Sequence, residues 1–116
     1  MQKEVTLDGI VYVPKNQYTT SSEVDGMKYC IVRARSAGVF AGYLESRNGQ
    51  EAVIQHARRL WYLDGAASIL QLAMSGTSKP NQCNFSMEVN RITVMEVIEI
   101  IECTVAGMES IRGVKV

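Results

Sequence analysis

"RRLWYLDGAASILQLAMSG", residues 58–76, holds the reading that decides the fold. Its first half is β-prone and carries two cations and the single tryptophan. Its second half, from Gly65, is rich in Ala and Leu and repeats apolar residues at three- and four-residue steps: Ala66, Ile69, Leu70 and Ala73. That spacing predicts a helix over about 65–76 with one face on a sheet. Asp64 stands where an N-cap is expected, and Gly76 where a left-handed C-terminal residue is expected. A strand running into a helix in one short stretch points to an α+β domain.

Outward from this junction, the flanking segments alternate. In "MKYCIVRARS" (27–36), Tyr29, Ile31, Arg33 and Arg35 share one face, and Cys30, Val32 and Ala34 the other. "AGVFAGYLES" (37–46) is a second strand, with Gly38 and Gly42 at places suited to a bulge or a close backbone approach. Asn48-Gly49 turns the chain into a third strand, "EAVIQHARRLWYL" (51–63). These strands predict an antiparallel β-meander packed by one main helix. Beyond the loop "TSKPNQCN" (77–84), the β-branched run 85–104 predicts one or two strands with a turn near Asn90-Arg91. Helical spacing of Glu96, Glu99 and Glu102 is the competing reading of 94–102. "VAGMESIRGV" (105–114) has a weak pattern for a short C-terminal helix.

The chain of 116 residues is read as a single domain. Residues 1–15 are expected to form an N-terminal β-hairpin around Asp8-Gly9, 16–26 a polar loop, and 27–116 the core. Twelve basic and twelve acidic side chains cancel, which argues against a nucleic-acid polymer as partner. A local pocket for one small anion stays compatible with that balance. No apolar run approaches a membrane span, and "MQKEVTLDGI" lacks a signal-peptide core, so a cytoplasmic protein with no membrane partner is expected. Cys30, Cys83 and Cys103 are far apart, with no CxxC and a single histidine. Reduced thiols are expected, and neither a metal nor a cofactor.

No catalytic motif is present, and His56 has no visible orienting acid in sequence, so an enzyme is not expected. The arginine–aromatic set carries more chemistry. Arg33 and Arg35 share a strand face, Arg59 shares one with Trp61, and Arg58 takes the opposite one. Phe40 and Phe85 sit near turns, and "RSAGVF" (35–40) places Ser36 in a small-residue turn. Guanidinium groups bond phosphate in pairs and aromatic faces stack on bases. Arg33, Arg35, Ser36, Phe40, Arg58, Arg59, Trp61 and Phe85 are therefore the candidate site for a small anionic, nucleotide-like ligand, helped by the helix N-terminus after Gly65. The competing reading makes Trp61 and Phe40 core and the arginines surface ion-pair partners.

At "SAGVFAGYL", "ARRLWYLDGAASILQLA" and "EVIEIIECT", within residues 28–104, the sequence resembles a family of short phage and prophage proteins of unknown function. The resemblance implies a virus-encoded protein acting in a bacterial cytoplasm, and transfers no catalytic residue. By functional analogy it suggests the phage anti-defence sponges that counter Thoeris and CBASS. Such a protein would be a homo-oligomer that sequesters a cyclic ADP-ribose isomer or cyclic oligonucleotide without cleaving it. The alternative is an interaction module that inhibits a host protein, with the apolar run 92–101 pairing edge to edge.

Overall fold

A computed structural model of the chain describes residues 23–116. The predicted hairpin over 1–15 and the first part of the polar loop lie outside the described residues. The elements run β1 (Glu23–Val24), β2 (Met27–Ala34), β3 (Gly38–Asn48), β4 (Glu51–Tyr62), α1 (Ile69–Ser75), β5 (Asn84–Phe85), β6 (Val89–Val94), β7 (Val97–Glu102) and α2 (Val105–Gly113). The α+β expectation holds in its coarse form.

The sheet is more than a meander. β2, β3 and β4 pair antiparallel in sequence order, but β6 then lies beside β4 and β7 beside β2. Only Met95 and Glu96 join these two strands, which belong to opposite edges. The sheet must therefore curl until its edges approach, giving a half-barrel. Two contacts hold the closure: Val97 N–H donates to the Gln50 carbonyl and Arg35 N–H to that of Glu96, at 2.8 and 2.9 Å. The concave side packs Cys30, Val32, Phe40, Ile54, Val94 and Val97, drawn from β2, β3, β4, β6 and β7. Small residues make that curvature possible. A β-carbon on Gly42 would lie 2.8 Å from the Gln55 carbonyl oxygen of the next strand.

The opposite face, with Tyr29, Ile31, Tyr43, Leu60 and Phe85, is covered by Leu72 and Ala73 of α1 and Ile111 of α2. Both faces are thus buried, which explains the unbroken burial of Tyr29–Val32. The two helices pack at Gly107, where a β-carbon would overlap the Ala73 carbonyl. Thr104 caps α2, accepting from Gly107 N–H at 3.1 Å, while its hydroxyl donates to the Met74 carbonyl at the end of α1. Burial pushes the Cys30 thiol up to about 11 and the Cys103 thiol up to about 12, so both are poor nucleophiles near neutrality.

Several expectations are corrected. The first helix begins at Ile69, not near Gly65, and is capped by Ser68 rather than Asp64. Gln71 reaches back to the Ala67 N–H at 2.9 Å, while the Asp64 carboxylate accepts from Gly65 N–H. Thr77 and Cys83 draw residues 64–65 into the following loop, which competes with helix there. The buried face is Leu72 and Ala73, and Leu70 is exposed. The segment 84–102 makes three strands. Its sharp turn is Met95–Glu96, with Glu96 at φ 56°, whereas Asn90 and Arg91 lie inside β6. Part of the expected polar loop is strand: Glu23 and Val24 pair with Lys28 and Met27 across Asp25-Gly26. Both turn residues have positive φ, as a tight two-residue hairpin requires.

Candidate functional site

The register of β4 decides which arginine faces what. Tyr43 pairs with Gln55 and Ala41 with Arg58, so β4 holds one residue more than β3 across that interval. His56, at φ 51°, takes up the extra residue as a bulge. The bulge resets the alternation. Ile54 and Ala57, three apart, both face the concave core. Arg58 then falls on the helix side, and Arg59 on the concave side.

Arg58 is only 3% exposed, the one charged residue among the buried set. It lies over the Phe85 ring, 5.6 Å from the centroid. Its Nε donates to the Ser86 carbonyl and one terminal nitrogen to the Ile111 carbonyl of α2, both at 2.7 Å. A cation at a helix C-terminus is well placed, since the last carbonyls of α2 carry partial negative charge. No ion pair joins it to a carboxylate among the described residues. Burial lowers its pKa, although a guanidinium stays protonated at any physiological pH.

Arg58 lines a pocket of about 390 Å³ together with Glu88, Arg112, Val114, Lys115 and Val116. Arg112 sits in the last turn of α2 and meets Glu88 in a fork: Nε to Oε2 and a terminal nitrogen to Oε1, each 2.8 Å. That pairing raises the Arg112 pKa. Arg112 also lies over the Tyr43 ring and donates to its hydroxyl at 3.3 Å. His56 Nδ1 is 3.7 Å from Glu88, beyond hydrogen-bond length. The pocket therefore gathers three cationic side chains against one side-chain carboxylate.

On the other face of β4, Arg59 stacks over Phe40, its cross-strand partner, at 4.8 Å from the centroid. Trp61, 61% exposed, joins them with Ser86, Val89 and Ile92 around a groove of about 200 Å³. The predicted set is thus divided. Arg59, Phe40 and Trp61 come together, and Arg58 and Phe85 come together on the opposite face. Arg33 donates to Glu99 on β7 at 2.8 Å and is engaged there. Arg35 and Ser36 are exposed in the β2–β3 turn. The helix N-terminus contributes to neither pocket, because α1 starts at Ile69. The packing reading holds for two residues and fails for a third: Arg33 is a surface ion-pair partner and Phe40 is core, while Trp61 is exposed.

Glu88, Arg112 and Lys115 escaped the sequence reading. The one signal was Arg112 itself, a cation in the last turn of the predicted C-terminal helix. Among the described residues no group of three or more His, Cys, Asp or Glu could hold a metal ion. Glu99 and Glu102 instead pair with Arg33 and Lys28. No helix there is long and apolar enough to cross a membrane.

The fold and site define a curled antiparallel half-barrel with two helices on one face and an arginine-lined pocket beneath the second helix. A model of a domain of unknown function, DUF6948, matches residues 27–111, and the chain belongs to that family. No curated protein and no solved structure matches the chain.

Proposed function

We propose that this protein is a binding module for a small phosphate-bearing ligand, which it holds without chemical change. The observation that carries the reading is Arg58: a buried guanidinium, braced by two main-chain carbonyls and paired with no carboxylate among the described residues, on the wall of a pocket of about 390 Å³. Its remaining N–H groups suit the oxygens of a phosphate, and the volume lies in the range of small-molecule sites. Arg112 and Lys115 add charge at the same place. The Arg59–Trp61 groove is half that volume, so the anion is assigned to the Arg58 pocket. Sequestration of a nucleotide-derived immune signal by a homo-oligomer, the role the phage resemblance implies, is the biological form of this reading.

Native mass spectrometry with cyclic nucleotides, cyclic ADP-ribose isomers and linear nucleotides tests it. The expected result is a mass shift with one ligand class, the ligand recovered intact after denaturation, and binding lost in Lys115→Glu. Lys115 is exposed, so its reversal changes pocket charge and spares the core. No shift across the panel, or capture undiminished in Lys115→Glu, overturns the assignment.

A second reading, an interaction module that blocks a host protein, draws on the groove beside β6. Among the described residues that strand pairs only with β4; Val89 at its start and Trp61 beside it are exposed. An extended peptide could add along β6 with one apolar side chain in the groove. A ligand-free complex with a defined host protein, lost in Trp61→Ser, supports this reading over the first.

A further inference from the structure

The Arg58 pocket is not uniformly basic, and its one side-chain carboxylate is fixed in place. Arg112 grips both oxygens of Glu88 through parallel 2.8 Å bonds, which orients the group and leaves each oxygen a second acceptor position. His56 approaches Oε1 only to 3.7 Å and fills neither. A bare phosphate drawn to Arg58 would bring a second negative charge near this one, with only its own residual P–OH proton to offset the repulsion. A ligand that carries hydroxyl groups beside its phosphate would satisfy both walls. Fixed carboxylates are the usual partners of sugar hydroxyls for this reason.

We infer that Glu88 is a specificity residue that selects polyhydroxylated phosphates, of the sugar-phosphate or ribonucleotide class, over phosphate itself and over apolar phosphate esters. This rests on the Arg58 pocket reading and names its ligand class. Arg58 supplies the phosphate site, Glu88 accepts from the sugar hydroxyls, and Arg112 positions Glu88. Val114 and Val116 offer the same wall an apolar contact, so an alkyl phosphate is a fair competitor.

Calorimetric titration of the full chain with ribose 5-phosphate, n-pentyl phosphate and inorganic phosphate decides the matter. A hydrogen bond to a charged acceptor is worth roughly tenfold or more in affinity. Ribose 5-phosphate should therefore bind at least about tenfold tighter than either competitor. In Glu88→Gln the preference should shrink to a few-fold, with inorganic phosphate binding more tightly than in the parent. Pentyl phosphate binding as well as ribose 5-phosphate overturns the inference in the unmodified protein, with no variant needed. A preference that persists in Glu88→Gln overturns it too. Failure of all three probes to bind overturns the pocket reading itself, and the role of Glu88 with it.

Discussion

Tyr29 is fully buried at the centre of β2, and its hydroxyl meets no hydrogen-bond partner among the described residues. Its ring packs edge-on against Tyr43 at 5.0 Å, and burial drives the phenol pKa well above its ordinary value. A buried hydroxyl with no partner costs free energy that a phenyl ring would not. Tyr29→Phe should therefore raise stability by about 1 kcal/mol in a urea melt. A loss of that size would mean that the hydroxyl is bonded in solution. Arg58 presents the opposite case, a buried cation whose two carbonyl partners arrive from 28 and 53 residues away. No local pattern in "RRLWY" could separate Arg58 from Arg59, because the bulge at His56 sets which of them turns inward. The division of the two arginines between faces was readable from alternation, but the burial of one was not.

Three strands meet in one polar ladder on the sheet. Glu45 of β3 accepts from Gln55 of β4 at 2.9 Å and takes a fork from Arg91 of β6 at 2.8 and 2.7 Å. The Arg91 hydrogen bonds, followed by that of Gln55, hold the Glu45 carboxyl down at about 2, against an ordinary 4.5. A carboxyl depressed in the folded state adds stability that is complete above its unfolded value. That stability is lost as pH falls through the folded value. The stability gap between the parent and Glu45→Gln should thus be present at pH 7 and close between about pH 4.5 and pH 2. The side chains are exposed, so the gap is small, and the sharper readout is the carboxyl resonance. Its NMR titration should have a midpoint near 2 and return toward 4.5 in Arg91→Ala. A midpoint already near 4.5 in the parent would show that the ladder does not hold. The strands that carry it were legible where alternation was long, in β2, β3 and β4. Asp25-Gly26 carries the same hairpin signal as Asp8-Gly9, but the polar run before it masks the strand in the sequence. In 89–102, β-branched residues run through both strands, so composition could not mark the turn at Met95–Glu96.

At the scale of the whole molecule, topology makes the pocket. Arg58, Glu88 and Lys115 come from a central strand, a link between two edge strands and the residues after the last helix. Curling the sheet and docking α2 beneath it brings them together, and a reader of neighbours in sequence sees only separate charges. The chain as a whole is neutral, with twelve cations and twelve anions. In the proposed role, attraction for an anion would therefore come from a few groups at contact range, and not from the field of a basic surface. A protein that neutralises six to ten phosphates of a nucleic acid loses about 10³–10⁵ in affinity between 50 and 200 mM salt. Three cations offset by Glu88 should give a small phosphate ligand only a several-fold loss over the same range, because close pairs are screened far less than distant ones. Fluorescence-detected binding of a labelled nucleotide across that salt range reads the slope directly, and a random-sequence oligonucleotide should not displace it. A steep slope, with the oligonucleotide as the tighter competitor, would move the site out of the pocket and onto an extended surface. The exposed Trp61 and Arg59 on the other face of β4 would then be its natural centre.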